Sequence, residues 1–170
     1  MELISAQQRN ELVLKARERR KLELRDHYAV DDAVLAAWRR GDNAAVSESI
    51  RPVVDRIAAQ VADGVGIRRV KVLSEPPSEY MRHALDVARH LVDAGEDIRW
   101  LPRRYSSDLL LPGNDFFVLD SEVVIFNVLD GDDGRAEQQL WTEADVVERC
   151  RSAFESAWVR AVPHRDYHPA

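Results

Sequence analysis

Residues 67–101 read IRRVKVLSEPPSEYMRHALDVARHLVDAGEDIRWL, and this stretch decides the fold. Ile67 to Leu73 alternates, with Val70 and Val72 on one side, which predicts a strand. Glu75-Pro76-Pro77 is a turn, and Ser78 is placed to cap a helix. Met81, Leu85, Ala88, Leu91 and Val92 recur at helical spacing as far as Ala94, and Gly95 supplies a left-handed stop. Asp97 to Leu101 is a second strand. Strand, helix and strand in this order imply parallel pairing, because the connection is long enough for a crossover.

Outward from this unit, Asp115 to Leu119 and Glu122 to Leu129 are apolar strands around Asp120-Ser121, a hairpin. Glu137 to Trp141 adds one more strand. Asp130-Gly-Asp-Asp-Gly134 lacks the spacing of a calcium loop and reads as a turn. Thr142 is expected to cap a last helix with Val147, Cys150, Phe154, Ala157 and Trp158 inward, ended by Pro163. Upstream, Ser5 and Gln8 form a capping box for a helix from Ala6 to Arg19. Lys21 to Tyr28 then alternates as a short edge strand. Asp31 and Asp32 open a helix with Val34, Leu35 and Trp38, closed at Gly41. A stripe from Val46 to Val61 follows, and Pro52 predicts a break near Arg51. The expected fold is α/β: a mixed sheet with a strand–helix–strand crossover and a hairpin, flanked by helices, the N- and C-terminal helices packed on it.

The chain has 170 residues, which is one domain. Within it, residues 1–20 read as a basic helix or arm, 21–163 as the core and 164–170 as a polar tail. Hydrophobic residues at 45% and charged residues at 32% exclude wholesale disorder. No apolar run reaches the roughly 18 residues of a membrane span, and MELISAQQRNEL lacks a secretory apolar core. With Cys150 as its one cysteine the chain has no disulfide framework, which fits a reducing cytoplasm. Net charge is −6, although residues 1–25 alone carry +3. An acidic body repels a phosphate backbone, so direct nucleic-acid binding is not expected.

The order and spacing of EDIRWLPR (96–103), LPGNDFFVLD (111–120), IFN (125–127) and AFESAWVRAVPH (153–164) resemble an uncharacterised actinobacterial family, a domain of unknown function. LELRDHYAV (22–30) and RRVKVLSEP (68–76) fit it too. The resemblance implies proximity to helix-turn-helix regulators and small partner proteins in Streptomyces-like genomes, with no activity attached. A second likeness is to half of a phospholipase D-like domain, whose pattern is H-x-K-x4-D. Asp120 falls at its Asp, Asp115 at its Lys and Gly113 at its His. The nucleophile is missing, so that site would be degenerate.

No P-loop, G-x-S-x-G, H-E-x-x-H or G-x-G-x-x-G occurs. His83 and His90 stand two helical turns apart, about 10 Å, too far for one metal without further ligands. They read as solvent-facing, and His164 as a histidine fixed by a hydrogen bond or used in binding. The candidate site is the rim at the C-terminal ends of parallel strands. Glu75, Tyr80, Arg82, Arg99, Arg103, Asp115 and Asp120 are placed to meet there. Such a set is a cleft for a carboxylate or phosphate, an internal salt-bridge network locking residues 102–114, or a protein contact. Trp38, Trp100 and Trp158 read as core, and Trp141 as core or as an exposed anchor.

The composite expectation is a non-enzymatic accessory protein acting with a transcriptional regulator, through protein contact or a small anion. No cofactor or metal is expected. A phosphodiester or nucleotide enzyme with Mg²⁺ on Asp115 and Asp120 is the rival, and a structural homodimer module the third reading.

Overall fold

A computed structural model describes residues 1–29 and 32–169. The Asp31 end of the predicted helix cap lies outside them. In chain order the elements are β1 (Glu2–Leu3), α1 (Ala6–Lys15), β2 (Glu18–Glu23), α2 (Asp32–Arg39), α3 (Asn43–Ala62), β3 (Gly66–Leu73), α4 (Glu79–Asp93), β4 (Asp97–Pro102), β5 (Asp115–Leu119), β6 (Val123–Leu129), β7 (Arg135–Trp141), α5 (Ala144–Arg160) and β8 (Val162–Pro163). The strands form one mixed sheet, ordered β1-β7-β6-β5-β2-β3-β4-β8. β2, β3 and β4 run parallel, and every other pair is antiparallel. The fold is therefore α/β, with helices on both faces of the sheet.

Side chains alternate across a strand, so each strand feeds two cores. On one face Leu22, Val70, Val72, Leu101, Phe116 and Val118 meet α5, whose Phe154 and Ala157 are wholly buried. On the other, Leu73, Ile98 and Trp100 meet Met81, Ala88 and Leu91 of α4. α1 covers the far half of that second face, over Phe117, Leu119 and Ile125. Gly95, at φ 105°, lets the chain leave α4 against α3: a Cβ there would stand 2.8 Å from Cγ1 of Val61.

Four sequence expectations are corrected. α1 stops at Lys15 instead of Arg19. The Asp120 carboxylate takes the backbone N–H groups of Arg17 and Glu18, at 2.8 and 2.7 Å, and sets the start of β2. Arg19 and Arg20 thus belong to a strand and not to a basic arm. β2 is also no edge strand, since β3 and β5 flank it. α3 runs unbroken through Pro52, which lies on the exposed side, where water can reach the carbonyl that proline leaves without a donor. At the start of the last helix Glu143, not Thr142, holds the N-cap position; its side chain caps no helix N–H and binds the Met1 ammonium at 2.9 Å.

Candidate functional site

The parallel register of β2 and β3 sets Lys21 opposite Arg69 and Glu23 opposite Lys71. Those four side chains point away from α5, together with Arg19. Over them lie α1, which contributes Arg9, and α3, which contributes Arg56 and Gln60. The space between is a cavity of about 320 Å³, floored on one side by Phe117 of β5. A second chamber of about 150 Å³ adjoins it, reached past Lys21, Lys71 and Asp115. Arg9, Lys21 and Arg69 line both.

The cavity's charges do not balance. Glu23 is shared by Lys21, by Lys71 at 2.7 Å and by Arg69 at 3.6 Å. Arg69 is held by Glu96 as well, at 2.7 Å. Those two carboxylates account for the ion pairs of the floor. Arg9 and Arg19, 9% and 8% exposed, have no carboxylate partner among the described residues. Arg9 donates to Asn10 at 2.6 Å and Arg19 to Gln60 at 2.7 Å, and both Nε atoms are buried without an acceptor. Arg19 feels Glu96 and Asp120 without an ion-pair contact, and a buried guanidinium lacking such a contact is costly unless something supplies one. The Phe117 ring offers a partial answer, with Lys21 Nζ at 5.2 Å and the Arg9 guanidinium at 6.0 Å from its centroid.

The titration behaviour follows this crowding. Burial, and then the charge of Arg135, lowers Arg9 to about 10. Burial also lowers Lys21, against the pull of Glu23. Burial pushes the Glu23 carboxyl up, but Lys21, Lys71 and Arg69 overturn it and hold it well below the usual carboxylate range. Asp115 moves the other way: burial and the charge of Glu23 raise it, against hydrogen bonds from the Tyr28 hydroxyl at 2.5 Å and the Leu24 N–H at 2.8 Å. The site is thus a basic pocket inside an acidic protein, fit to receive an anion with bidentate guanidinium contacts.

The sequence-predicted residues are dispersed. Asp115 reaches the second chamber of this cavity. Tyr80 is buried behind it, edge-on to His27 at 5.1 Å. Glu75 and Arg103 stay at the rim, where Glu75 pairs with Arg104 at 2.7 Å and Arg103 with Asp26 at 3.1 Å. These pairs fix the start of the 102–114 segment, and Asp108 binds Arg160 further along it. Arg82 is exposed and donates to the Pro77 carbonyl at 2.9 Å. Arg99 lies on the opposite sheet face, its guanidinium 3.9 Å from the Trp158 ring centroid. The expected meeting of Glu75, Arg99 and Asp115 therefore does not occur, because odd and even positions of β4 look into different cores. Asp120 stands at the other end of β5 from Asp115, about 16 Å away at strand rise, so the two cannot share one Mg²⁺ ion. His164 accepts a hydrogen bond from Trp100 Nε1 at 3.0 Å.

Two further corrections concern aromatic rings. His83 is buried, 5.7 Å from the Trp38 ring and 6.2 Å from Tyr80, and not solvent-facing. Trp38 is half-buried and donates to Asp86 at 2.7 Å, while Trp141 packs half-buried beside Phe126. Sequence reasoning missed Arg9, Arg19, Lys21, Arg69 and Lys71. For the four strand residues a signal was present: charged side chains at alternate positions, beside Leu22, Val70 and Val72, which are core.

Residues 8–169 match the family described as Domain of unknown function (DUF6879). The chain belongs to this family. The match takes in every cation of the two basic chambers, from Arg9 to Arg135. No curated protein matches the chain. DUF6879 carries no activity in its description, so function must come from the cavity itself.

Proposed function

We propose that this DUF6879 protein is a non-enzymatic accessory protein that takes a small anion into the cavity under α1 and works with a transcriptional regulator. One observation carries the ligand half of this reading: Arg9 and Arg19 are buried guanidiniums that lack any carboxylate partner among the described residues. An anion would supply the missing counter-charge and use donors already in place. The regulator half rests on the resemblance to an actinobacterial family encoded beside helix-turn-helix proteins, and on a net charge of −6 that disfavours direct contact with a phosphate backbone. The phosphodiester-enzyme reading loses its metal pair with the separation of Asp115 and Asp120.

The ligand half is tested by thermal unfolding against inorganic phosphate, sulfate and small carboxylates. A saturating anion stabilises the native chain by about 2.7 kcal/mol at a hundred times its Kd. Arg9→Gln and Arg19→Gln should abolish that stabilisation while the variants remain folded. A wild-type melting curve indifferent to all three anion classes would overturn it. The regulator half is tested by pulling the chain down from an actinobacterial lysate, with and without phosphate, and looking for a helix-turn-helix regulator. Failure in both conditions would sink that half alone.

A further inference from the structure

A third chamber, about 180 Å³, lies among α2, α3 and α4, lined mainly by Val34, Ile50, Val53, Val87, Leu91 and Ile98, with the rings of Tyr80 and His83 on one side. It ends on Arg69 and Lys71. Arg69 lines all three chambers, and Val53 lines the large basic one as well as this one. A largely apolar pocket therefore lies next to the cationic floor, with the Arg69 and Lys71 side chains at the boundary between them. Water in the aliphatic part would find few partners, and an empty void there forfeits dispersion contacts. A single molecule can satisfy both ends.

We infer that the anion taken by this cavity is an amphiphile, a phosphate or carboxylate head joined to an apolar chain. This rests on the anion reading above and narrows it. The head sits over Lys21, Arg69 and Lys71, where Arg9 and Arg19 complete the donor set. The chain passes beneath Val53 into the space under Val87 and Leu91. Lys71 can serve the head while keeping Glu23, because an ammonium has three donors and the pair uses one. The three chambers together suit a small amphiphile and exclude a two-chain lipid, since pockets for drug-sized ligands span about 300–1,000 Å³.

The experiment is calorimetric titration of the full chain with inorganic phosphate, then with butyl, hexyl and octyl phosphate, and in parallel with butanoate, hexanoate and octanoate. Each added methylene should tighten binding about fourfold until the chamber is full. The better head group identifies the source, an alkyl phosphate or a fatty acid. Val87→Phe fills the chamber and should erase the chain-length gain while inorganic phosphate binds as before. Ala84→Leu, on the same chamber wall and outside the basic chambers, repeats the test should the first variant not fold. If phosphate binds and added methylenes bring nothing, the amphiphile inference falls and the anion reading stands. If no anion binds, both fall. A chain-length gain that survives both substitutions would put the chain elsewhere and overturn the assignment of this chamber.

Discussion

Glu23 and Lys71 are register partners on adjacent parallel strands, and their side chains meet at 2.7 Å on the sheet face that looks into the cavity. Central strands rarely carry charge on a covered face. Here one carboxylate organises three cations, and the helices above leave two more guanidiniums unanswered.

Glu23→Gln keeps the shape and removes the charge that Lys21, Lys71 and Arg69 share. Breaking a buried pair by removing one partner should destabilise the chain by about 3–5 kcal/mol, read from urea unfolding. Phosphate should restore part of that loss, because it adds negative charge where Glu23 no longer does.

The core facing α5 sets a contrasting scale. Leu22→Ala and Phe154→Ala remove wholly buried side chains and should cost about 3–5 kcal/mol each by denaturant unfolding. Leu85→Ala, on the half-buried flank of α4, should cost clearly less. Equal losses at all three would contradict the burial pattern.

Anion affinity should fall on the alkaline side. Arg9 is lowered to about 10, and Lys21 is lowered too, so both lose charge earlier than free side chains as pH rises. Phosphate binding, followed calorimetrically from about pH 8 to 10.5, should weaken steadily.

His164 gives a pH effect of its own. Its folded value is lowered, first by burial and then by Arg89 and Arg165. The neutral ring is the form the fold prefers, with Nδ1 accepting from Trp100. That contribution is present above the ordinary histidine value and is lost as pH falls through the folded one. Melting temperature should therefore fall as pH drops below about 6.5, and less so in His164→Gln, whose amide oxygen can still accept from Trp100.

Asp120→Ala removes the acceptor that starts β2. A loss of about 1–2 kcal/mol in unfolding free energy is expected, with phosphate affinity unchanged. A fall in affinity at constant stability would mean that Asp120 belongs to the site.

Most of the architecture could be read from periodicity. The crossover of β3, α4 and β4, the β5–β6 hairpin and the inward face of α5 announce themselves through local spacing. The placement of β2 did not, because ERRKLE looks like a strand with one wet side. Its charged side is wet only through a cavity, and the elements that cover it, α1 and α3, arrive from distant parts of the chain. The rim charges misled for a related reason. Arg99 and Trp100 are neighbours in sequence, yet alternation sends one under Trp158 and the other against Tyr167. Arg9 carried no signal, since nothing in α1 distinguishes it from the exposed cations around it until Phe117 is placed beneath.

The central position of β2 also governs how the molecule can come into being. Its two flanks are separated widely along the chain: Glu18 lies against Gly66, and Arg19 against Leu119. Such pairings close long loops and mature slowly. A ribosome must release residues well beyond Leu119 before Leu22 finds shelter on both sides. A fragment ending before the hairpin should not fold into a smaller sheet, and limited trimming from that direction should yield either the intact native chain or none.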